Sequence, residues 1–197
     1  MIDDLADQEP FAPFARWFAE AVASEPLAEA MTLATATRDG VPSLRAILVK
    51  GIDQRGFVFY TNMESRKAAE LNANPRAALC FHWKSLARQV RIEGKVERAS
   101  EAEADAYFES RARESQIGAW ASDQSQPLAS RGELENRAAE FARRFAEQAN
   151  VPRPPNWAGL RVVPQRIEFW QERPSRLHDR WVFIRDGGTW RKQRLFP

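Results

Sequence analysis

The feature that most constrains the fold is a series of short segments in which apolar and polar residues alternate, separated by turn sequences. The first of them are MTLATAT, SLRAILVKG and FVFYT, with RDG and DQRG between them. Alternation with a period of two is typical of strands with one buried face, and glycine-containing turns join antiparallel neighbours. We therefore expect these segments to be successive antiparallel strands.

The same alternation returns further along the chain, between segments with helical spacing. Further strands are predicted at RAALCFHW, RQVRIEGKVERA, WAGLRVVP, QRIEFWQ, RWVFIRD and TWRKQRL, with RDGG as the last hairpin turn. Helices are predicted from Pro10 to near Pro26, after Ser65, from Ser100 to Ser115, and over residues 131–148. About eight strands with sequential hairpins and three or four helices favour an antiparallel barrel with helices outside it over a doubly wound parallel sheet.

The length and charge of the chain limit its organisation and its partners. With 197 residues, it is long enough for one domain and short for two at roughly 150 residues per domain. Residues 1–197 are therefore interpreted as a single domain, with a flexible segment over residues 1–12. A formal net charge of +2 gives no overall field that would attract nucleic acid or an anionic membrane, so a basic site has to be a local cluster.

Several kinds of site lack their sequence signals. Cys80 is the only cysteine, which excludes an intramolecular disulfide and predicts a buried inert thiol in a reducing compartment. The acidic N-terminus and the lack of an apolar run of ~20 residues predict a cytoplasmic protein without membrane spans. His82 and His178 have no second ligand at zinc spacing, so no metal site is expected. No G-x-S-x-G, G-x-G-x-x-G or Walker motif occurs, so phosphate binding would rely on cationic side chains.

Two groups of cationic and hydroxyl side chains lie on predicted helices. The segment Ser65–Lys67 opens a helix directly after a strand, where backbone N–H groups, the helix dipole and two cations predict an anion site. An ordinary cap with solvated charges is the alternative. Tyr107, Arg111 and Ser115 are each four residues apart, which places a phenol, a guanidinium and a hydroxyl on one helix face. A plain surface stripe is the alternative there.

Two further groups lie on predicted strands. Arg176, His178 and Arg180 are spaced two apart, which places them on one side of an extended segment. Three potential cations side by side repel each other unless an anion lies between them, although a structural role is the alternative. Arg45 and Lys50 flank the apolar residues of RAILVK, and their odd spacing puts them on opposite faces. Charges that mark the ends of a strand would explain this pair equally well.

The number of these cations bears on the kind of ligand. A hydrogen bond to a charged group contributes roughly 1.5 to 3 kcal/mol, so one cation cannot supply the ~8 kcal/mol of micromolar binding. Two phosphate groups would need most of the cations in the four groups. One interpretation is therefore a phosphorylated cofactor beside a phosphorylated substrate.

Taken together, these segments resemble the pyridoxamine 5'-phosphate oxidase family over residues 14–197. The resemblance is carried, in order, by RAILVK, YTN, SRKAAEL, RQVRIEGKVER, YFESRARESQIGAW, the DQSQ loop, IEFWQ, RLHDR and RLFP. SRKA or YTN alone would be weak, whereas RLHDR together with SQIGAW is specific. The resemblance implies a mainly β fold with helices, namely an antiparallel, Greek-key-like FMN-binding split β-barrel with peripheral helices. It also implies a homodimer with one FMN in each of two clefts at the subunit interface.

The resemblance further implies roles for individual residues. The FMN contacts would be Arg45, Ala46, Ile47, Leu48, Val49, Lys50, Tyr60, Thr61, Arg66, Lys67, Gln89, Gln124, Ser125, Trp170 and Arg180. The substrate contacts would be Lys50, Tyr107, Arg111, Ser115, Arg176, Leu177 and His178. Arg176 and His178 would lie over the substrate ring and act as the catalytic residues.

The implied reaction is the FMN-dependent oxidation of pyridoxamine and pyridoxine 5'-phosphate by O2 to pyridoxal 5'-phosphate, with release of hydrogen peroxide. One rival is a split-barrel flavin reductase or oxidase with another substrate, which would not need Tyr107, Arg111 and Ser115. Another rival is a non-catalytic binder or carrier of pyridoxal phosphate or FMN. The sequence departs from the family in its short acidic N-terminal segment, which leaves closure of the site open, and in His82, where the family often has proline.

Overall fold

The computed structural model describes residues 8–197, which form nine strands in one antiparallel sheet, five helices and a short 3-10 turn. The strands are β1 Ala30–Ala36, β2 Pro42–Leu48, β3 Gly51–Asp53, β4 Gly56–Asn62, β5 Arg76–Trp83, β6 Arg88–Arg98, β7 Trp157–Gln171, β8 Asp179–Asp186 and β9 Thr189–Arg194. The helices are α1 Phe11–Val22, α2 Arg66–Ala73, α3 Glu101–Glu109, α4 Arg113–Ala121 and α5 Arg131–Arg144, and the 3-10 turn is Pro174–Arg176. The predicted antiparallel architecture with helices outside the sheet is confirmed.

The order of the strands curls the sheet into a half-barrel. It runs β2-β1-β5-β6-β7-β4-β3, and β8 and β9 extend it from β7. Strands β2 and β3 follow each other in the chain but stand at opposite ends of this order. The two residues between them bridge these ends, because Val49 N donates to Glu29 O at 3.0 Å and Lys50 N donates to Val58 O at 2.8 Å. The expectation that the first strands are all successive neighbours is therefore wrong, since β4 pairs with β7.

The core lies on the concave face of the sheet and is closed by α1. Phe14 is 1% exposed and meets Phe57 and Phe81 edge-on, with ring centroids 5.0 and 5.3 Å apart. Burying an aromatic side chain of this size contributes roughly 1.5 to 3 kcal/mol. The predicted helix is confirmed, and it ends at Val22, which is exposed. Of the predicted flexible segment 1–12, residues 1–7 lie outside the described residues, and Phe11 and Ala12 already belong to α1.

One long helix was predicted from Ser100 to Ser115, and the structure has two helices there. The capping box at the start of α3 is confirmed, since Ser100 Oγ accepts from Glu103 N and the Glu103 side chain accepts from Ser100 N. The helix then ends at Glu109. The side chain of Gln116 donates to Phe108 O at 2.8 Å and to Glu109 O at 3.3 Å, so the last carbonyls of α3 are satisfied from within α4.

The opposite error occurs in the C-terminal half, where two predicted strands are one. WAGLRVVP and QRIEFWQ form the continuous strand β7, and the register against β6 shifts between Glu93 and Gly94. Gly94 pairs with Pro164 at this shift. Proline cannot donate to a ladder and is tolerated at a bulge, which explains why it does not end the strand.

Cys80 differs from its predicted environment. It lies on β5 but is half-buried rather than buried, because its side chain is on the convex face of the sheet. Burial raises the pKa of the thiol, so the group stays protonated at neutral pH.

None of the helices in residues 8–197 is long and apolar enough to cross a membrane. The same residues contain no group of three His, Cys, Asp or Glu side chains placed to hold a metal ion.

Candidate functional site

Two adjoining cavities contain most of the predicted site residues. The first, which we call the aromatic cavity, has a volume of about 460 Å³ and is lined by residues that include Lys50, Tyr60, Tyr107, Arg111, Ser115 and Trp157. The second, which we call the cationic cavity, has a volume of about 420 Å³ and is lined by residues that include Arg45, Arg66, Lys67, Gln124 and Ser125. Ile47 and Gln124 line both. Side chains from β2, β4, α2, α3 and α4 therefore converge on one region of the surface.

Three parallel rings form one wall of the aromatic cavity. The ring of Tyr60 lies 4.2 Å from that of Tyr107 at 13° and 5.0 Å from that of Trp157 at 4°, and Tyr107 and Trp157 are 6.1 Å apart at 10°. The Tyr60 hydroxyl donates to Glu103 O at 3.2 Å, which ties β4 to the first turn of α3. Rings stacked in this way hold each other rigidly and present a flat apolar surface. Such a wall suits a planar aromatic ligand.

Arg111 provides the strongest sign that the aromatic cavity binds an anion. Its guanidinium carbon lies 5.3 Å from the ring centroid of Trp157 and 5.6 Å from that of Phe108. Its Nη1 is buried, and within residues 8–197 it has no hydrogen-bond partner. Buried donors are rarely left unsatisfied, and a guanidinium stays charged at physiological pH. The arrangement is suited to an anion, with Lys50 and Ser115 as further donors on the cavity wall.

The grouping of Tyr107, Arg111 and Ser115 was predicted correctly, but the geometry that was expected to produce it is wrong. Tyr107 lies on α3, Arg111 lies in the connection after Glu109, and Ser115 lies on α4. They do not form a stripe on a single helix. The bend between the two helices brings all three to the wall of the same cavity.

Lys67 is the most buried cation of the cationic cavity. Its side chain is only 8% exposed, and its Nζ donates to Gln124 Oε1 at 2.7 Å, Thr61 Oγ1 at 3.1 Å and Ser65 Oγ at 3.3 Å. None of these acceptors carries a charge. Burial, and to a smaller extent the charge of Arg45, lowers the pKa of Lys67 from 10.5 to about 8. An anion in the cavity would relieve this penalty.

Helix α2 begins as predicted, and the local geometry explains how its cations reach the cavity. Ser65 is the N-cap residue, although its hydroxyl donates to Asn62 O at 2.7 Å instead of accepting from the helix. Arg66 and Lys67 occupy the first turn, directly after β4, and both line the cationic cavity. Gln124 and Ser125 reach it from the loop after α4, where Ser125 has a φ of +75°. A non-glycine residue in this left-handed region is strained, which is common at binding sites.

Val49, a predicted FMN contact, lines neither cavity and is 4% exposed in the hydrophobic core. The other six predicted site residues form a second cluster, outside both cavities. Gln89, Trp170 and Arg180 are paired in register across β6, β7 and β8. The ring of His178 lies 4.7 Å from that of Trp170. We call these four residues, together with Arg176 and Leu177, the C-terminal cluster. Neither cavity is lined by any of its members.

The segment 176–180 is not the regular extended strand that was predicted. Arg176 ends the 3-10 turn with a φ of +61°, following Ser175 at +56°, and strand β8 begins only at Asp179. The three potential cations are also not left facing each other. Arg180 Nε donates to the buried Glu168 carboxylate at 2.9 Å. His178 Nδ1 accepts from Arg173 N at 3.2 Å, which places the imidazole hydrogen on Nε2.

Sequence reasoning missed three residues that shape these sites. Trp157 was assigned only to a strand, although it forms a wall of the aromatic cavity. Glu70 and Glu168 are carboxylates, 5% and 2% exposed, that bind arginines of the cationic cavity and of the C-terminal cluster. For Glu70, the spacing from Arg66 of one helical turn was a sequence signal that could have predicted the ion pair.

Comparisons with known proteins identify the family of the chain. A family model described as pyridoxamine 5'-phosphate oxidase matches residues 18–171, and one described as the pyridoxine 5'-phosphate oxidase C-terminal dimerisation region matches residues 157–197. The pyridoxine/pyridoxamine 5'-phosphate oxidase of Rhodospirillum rubrum is 58% identical over 202 residues, covering 100% of both chains. That of Caulobacter vibrioides is 59% identical over 194 residues, covering 98% of this chain and 87% of the relative.

Two solved structures are similar to this one. PhzG from Burkholderia lata, crystallised with tetrahydrophenazine-1-carboxylic acid, has a TM-score of 0.92 and 37% identity, covering 99% of this chain and 95% of that chain. A pyridoxamine 5'-phosphate oxidase-related, FMN-binding protein from Nostoc punctiforme has a TM-score of 0.76 at 17% identity, covering 97% and 100%, and supports the fold alone. By sequence and by fold, the chain belongs to the pyridoxamine 5'-phosphate oxidase family.

Proposed function

We propose that the protein oxidises pyridoxamine 5'-phosphate and pyridoxine 5'-phosphate to pyridoxal 5'-phosphate, with FMN as cofactor and O2 as the final electron acceptor. The observation that carries the proposal is the buried, unsatisfied Nη1 of Arg111, beside a wall of stacked rings and next to a second anion-binding cavity. A planar ring with a phosphate ester matches the aromatic cavity. Relatives at 58% and 59% identity carry the name of this oxidase.

The two cavities divide the ligands between them. We assign the phosphate of the substrate to Lys50, Arg111, Ser115 and the Tyr107 hydroxyl in the aromatic cavity. The phosphate of FMN is assigned to Arg45, Arg66 and Lys67 in the cationic cavity. The other proposed FMN contacts that line these cavities are Ala46, Ile47, Leu48, Lys50, Tyr60, Thr61, Gln124 and Ser125. Val49 is a further proposed FMN contact, although it lies in the core beside them. The residues present fit such a cofactor, because Lys67 is a buried cation without a charged partner among its hydrogen bonds.

A homodimer would explain why the C-terminal cluster lies outside the cavities. We propose that Gln89, Trp170 and Arg180 of one subunit complete the FMN site of the other. In the same way, Arg176, Leu177 and His178 would complete its substrate site. All of these except Gln89 fall within the region matched by the dimerisation model. Apolar side chains are also exposed at the edge strand β2, where Leu44 is 72% exposed, and Leu177 itself is 69% exposed.

In the proposed reaction the protein supplies orientation and charge. Bound FMN supplies a two-electron acceptor that takes a hydride from C4' and is regenerated by O2 with formation of hydrogen peroxide. Arg111 and Lys50 hold the phosphate and thereby fix the position of C4'. His178, which accepts at Nδ1 from Arg173 N, presents Nε2–H as a donor to the ring. The alcohol then loses a proton to give the aldehyde, and the amine gives an imine that water hydrolyses.

The direct test is an aerobic assay of the purified protein. We expect the absorbance of bound flavin and, after addition of pyridoxamine 5'-phosphate, equal amounts of hydrogen peroxide and aldehyde. Bound flavin without turnover would favour the rival flavin enzyme. Binding without peroxide would favour the carrier. Tetrahydrophenazine-1-carboxylic acid, the ligand in the PhzG structure, should be assayed beside it, and turnover of that compound alone would contradict the proposal.

Mixing two inactive variants tests whether the site is shared between subunits. At a substrate concentration near the wild-type KM, Arg111→Ala and Arg176→Ala should each lose most turnover while they retain FMN. If the two arginines meet across the interface, each mixed dimer contains one intact site. Random exchange of subunits would then restore about a quarter of the wild-type activity. If each site lies within one subunit, mixing restores no activity. Size-exclusion chromatography shows whether the variants form dimers.

The lowered pKa of Lys67 predicts how FMN binding depends on pH. The phosphate is already a dianion above its second pKa of about 6, whereas free Lys67 loses its charge around a pKa of about 8. We therefore expect the Kd for FMN to rise roughly tenfold between pH 7 and pH 9. Fluorescence quenching of FMN measures this, and the Lys67→Gln variant should bind weakly with no such rise.

The same shift predicts the opposite trend for the stability of the flavin-free protein. Below pH 8 the folded protein holds a charged, desolvated Lys67. In the unfolded chain Lys67 stays protonated up to its ordinary pKa of 10.5. The unfolded state therefore binds more protons between these values, so the free energy of unfolding rises with pH across this window. A contribution from Lys67 that falls between pH 8 and pH 10 would contradict the assignment. Comparison with Lys67→Gln isolates that contribution.

A further inference from the structure

Glu70 is a buried carboxylate beneath the cationic cavity. It lies on α2, one turn after Arg66, and is 5% exposed. Its Oε1 accepts from Arg66 Nε at 2.8 Å. Its Oε2 accepts from Ser43 Oγ at 2.6 Å, from Arg45 Nη2 at 3.3 Å and from Thr35 Oγ1. Burial by itself would raise the pKa of Glu70, but these hydrogen bonds lower it to about 2, so the group stays ionised.

The contacts of Glu70 form a frame around Arg45. Arg45 Nη1 donates to Thr35 Oγ1 at 2.6 Å, and its Nη2 donates to Ser43 Oγ at 2.6 Å. Each hydroxyl accepts from Arg45 and donates its own hydrogen to Glu70. A hydroxyl used in this way connects a cation to an anion with no group left unsatisfied. The rotamer of Arg45 is therefore set by Glu70, both directly and through two bridges.

Arg66 is held differently and remains available to a ligand. Its Nε is used by Glu70, which leaves the two Nη groups for other partners. Its side chain is 62% exposed and lines the cationic cavity. A long exposed arginine loses much rotamer freedom when it binds an anion, and a bond at Nε reduces that loss in advance.

Glu70 also offsets the repulsion among the cations. Arg45, Arg66 and Lys67 line one cavity, and the charge of Arg45 already acts on Lys67. Without an anion beneath them, the three cations would repel one another until a ligand arrived, so that the arginines would move apart or Lys67 would lose its proton. Both carboxylate oxygens of Glu70 are already occupied by the four donors, so Glu70 is not itself a ligand contact.

We propose that Glu70 is a positioning residue that organises Arg45 and Arg66 for the phosphate of the cofactor before it binds. This inference rests on the proposed function, which assigns the cationic cavity to FMN. Glu70 has two opposing effects on the affinity for FMN: it orients the two arginines, and as a nearby carboxylate it repels the phosphate. Orientation prevails because the charge of Glu70 is screened by four hydrogen bonds, while disordered arginines would lose both direction and proximity.

The test measures the binding of FMN to flavin-free Glu70→Ala and Glu70→Gln. Quenching of FMN fluorescence monitors the binding. We expect the Kd of Glu70→Ala to rise about 30-fold, which corresponds to the loss of about one oriented charge-assisted hydrogen bond. In Glu70→Gln the amide oxygen can still accept from Arg45 and the hydroxyls, so the rise should be only about threefold. At saturating FMN, turnover per bound flavin should stay within about twofold for both, because Glu70 does not touch the substrate.

Controls separate positioning from general damage to the fold. Glu135→Ala removes a carboxylate from another i,i+4 pair, that with Arg131 on α5, which is exposed and lines neither cavity. It should leave the Kd unchanged. If Glu70→Ala does not fold, Glu70→Gln decides the question through its Kd, measured on the folded fraction. A loss of stability alone would leave that Kd unchanged, whereas loss of positioning should raise it about threefold.

Each outcome bears on one of the two claims. If the wild type binds FMN and folded Glu70→Ala binds it equally well, the role of Glu70 is refuted and the proposed function stands. Tighter binding by Glu70→Ala would mean that the carboxylate only repels the phosphate, which also refutes it. If the wild type binds no FMN at all, the proposed function fails, and this inference fails with it.

Discussion

Replacement of Arg111 by alanine is expected to raise the KM for pyridoxamine 5'-phosphate by about 100- to 1000-fold, which corresponds to two hydrogen bonds to a charged group at roughly 1.5 to 2 kcal/mol each. The guanidinium lies in the aromatic cavity over Trp157, with a buried Nη1 that has no partner among the described residues. Because this group is satisfied only by a ligand, its loss should fall on substrate binding. The FMN content should remain that of the wild type.

Steady-state kinetics and the flavin absorbance of the purified variant together test this expectation. Arg131→Ala is a matched control, since Arg131 is 83% exposed and pairs with Glu135 on the surface of α5. Its KM should not change. Arg111→Lys keeps the charge but not the planar fork, so an intermediate KM is expected. Loss of FMN from Arg111→Ala with an unchanged KM for the remaining flavin-loaded enzyme would place Arg111 in the cofactor site instead.

Arg161→Met is expected to lower the free energy of unfolding by about 3 kcal/mol, the low end of what breaking a buried ion pair costs. Arg161 is 2% exposed on β7, and it donates to Asp53 at 3.0 Å and to Glu103 at 2.7 Å. Glu103 also caps α3, the helix that carries Tyr107. The variant therefore leaves two carboxylates without their buried cation and loosens the attachment of α3 to the sheet.

Thermal and urea unfolding of the flavin-free protein measure this loss, which corresponds to a fall in Tm of roughly 6 to 12 °C for a chain of this length. Arg55→Met is the control. Arg55 binds Asp53 and Glu103 as well, but it is 62% exposed, so its loss should cost less than about 1 kcal/mol. Equal losses in the two variants would show that burial of Arg161 is not what matters.

Acid should reduce the difference between wild type and Arg161→Met. Backbone and side-chain hydrogen bonds from Ser100, with smaller contributions from Arg55 and Arg161, lower the pKa of Glu103 from 4.5 to about 2. A carboxyl group with a depressed folded pKa stabilises the protein above its unfolded pKa. That stabilisation is lost as the pH falls from 4.5 toward 2. The part of it that depends on Arg161 should disappear over the same range.

The local elements were largely predictable because their signals are local. Strand β5 has the bounds predicted from RAALCFHW, and the capping box at Ser100 forms as expected. The hairpin turn before β9 also forms at the predicted RDGG. Alternation, turn residues and caps act over a few neighbouring residues, so they survive whatever the rest of the chain does. That residues 1–197 form one domain and that the protein is cytoplasmic both remain predictions.

Tertiary contacts decided what the local signals could not. Gln116 ends α3 by reaching back to its carbonyls, a contact that no spacing rule contains. The order of strands places β4 against β7 through pairing of residues about a hundred positions apart. The resemblance named Arg45 and Arg66, but only the fold shows that Glu70 binds both directly and binds Arg45 also through Thr35 on β1 and Ser43 on β2. Such placements depend on long-range packing, since the free energy of a buried charge is set by all the groups that surround it.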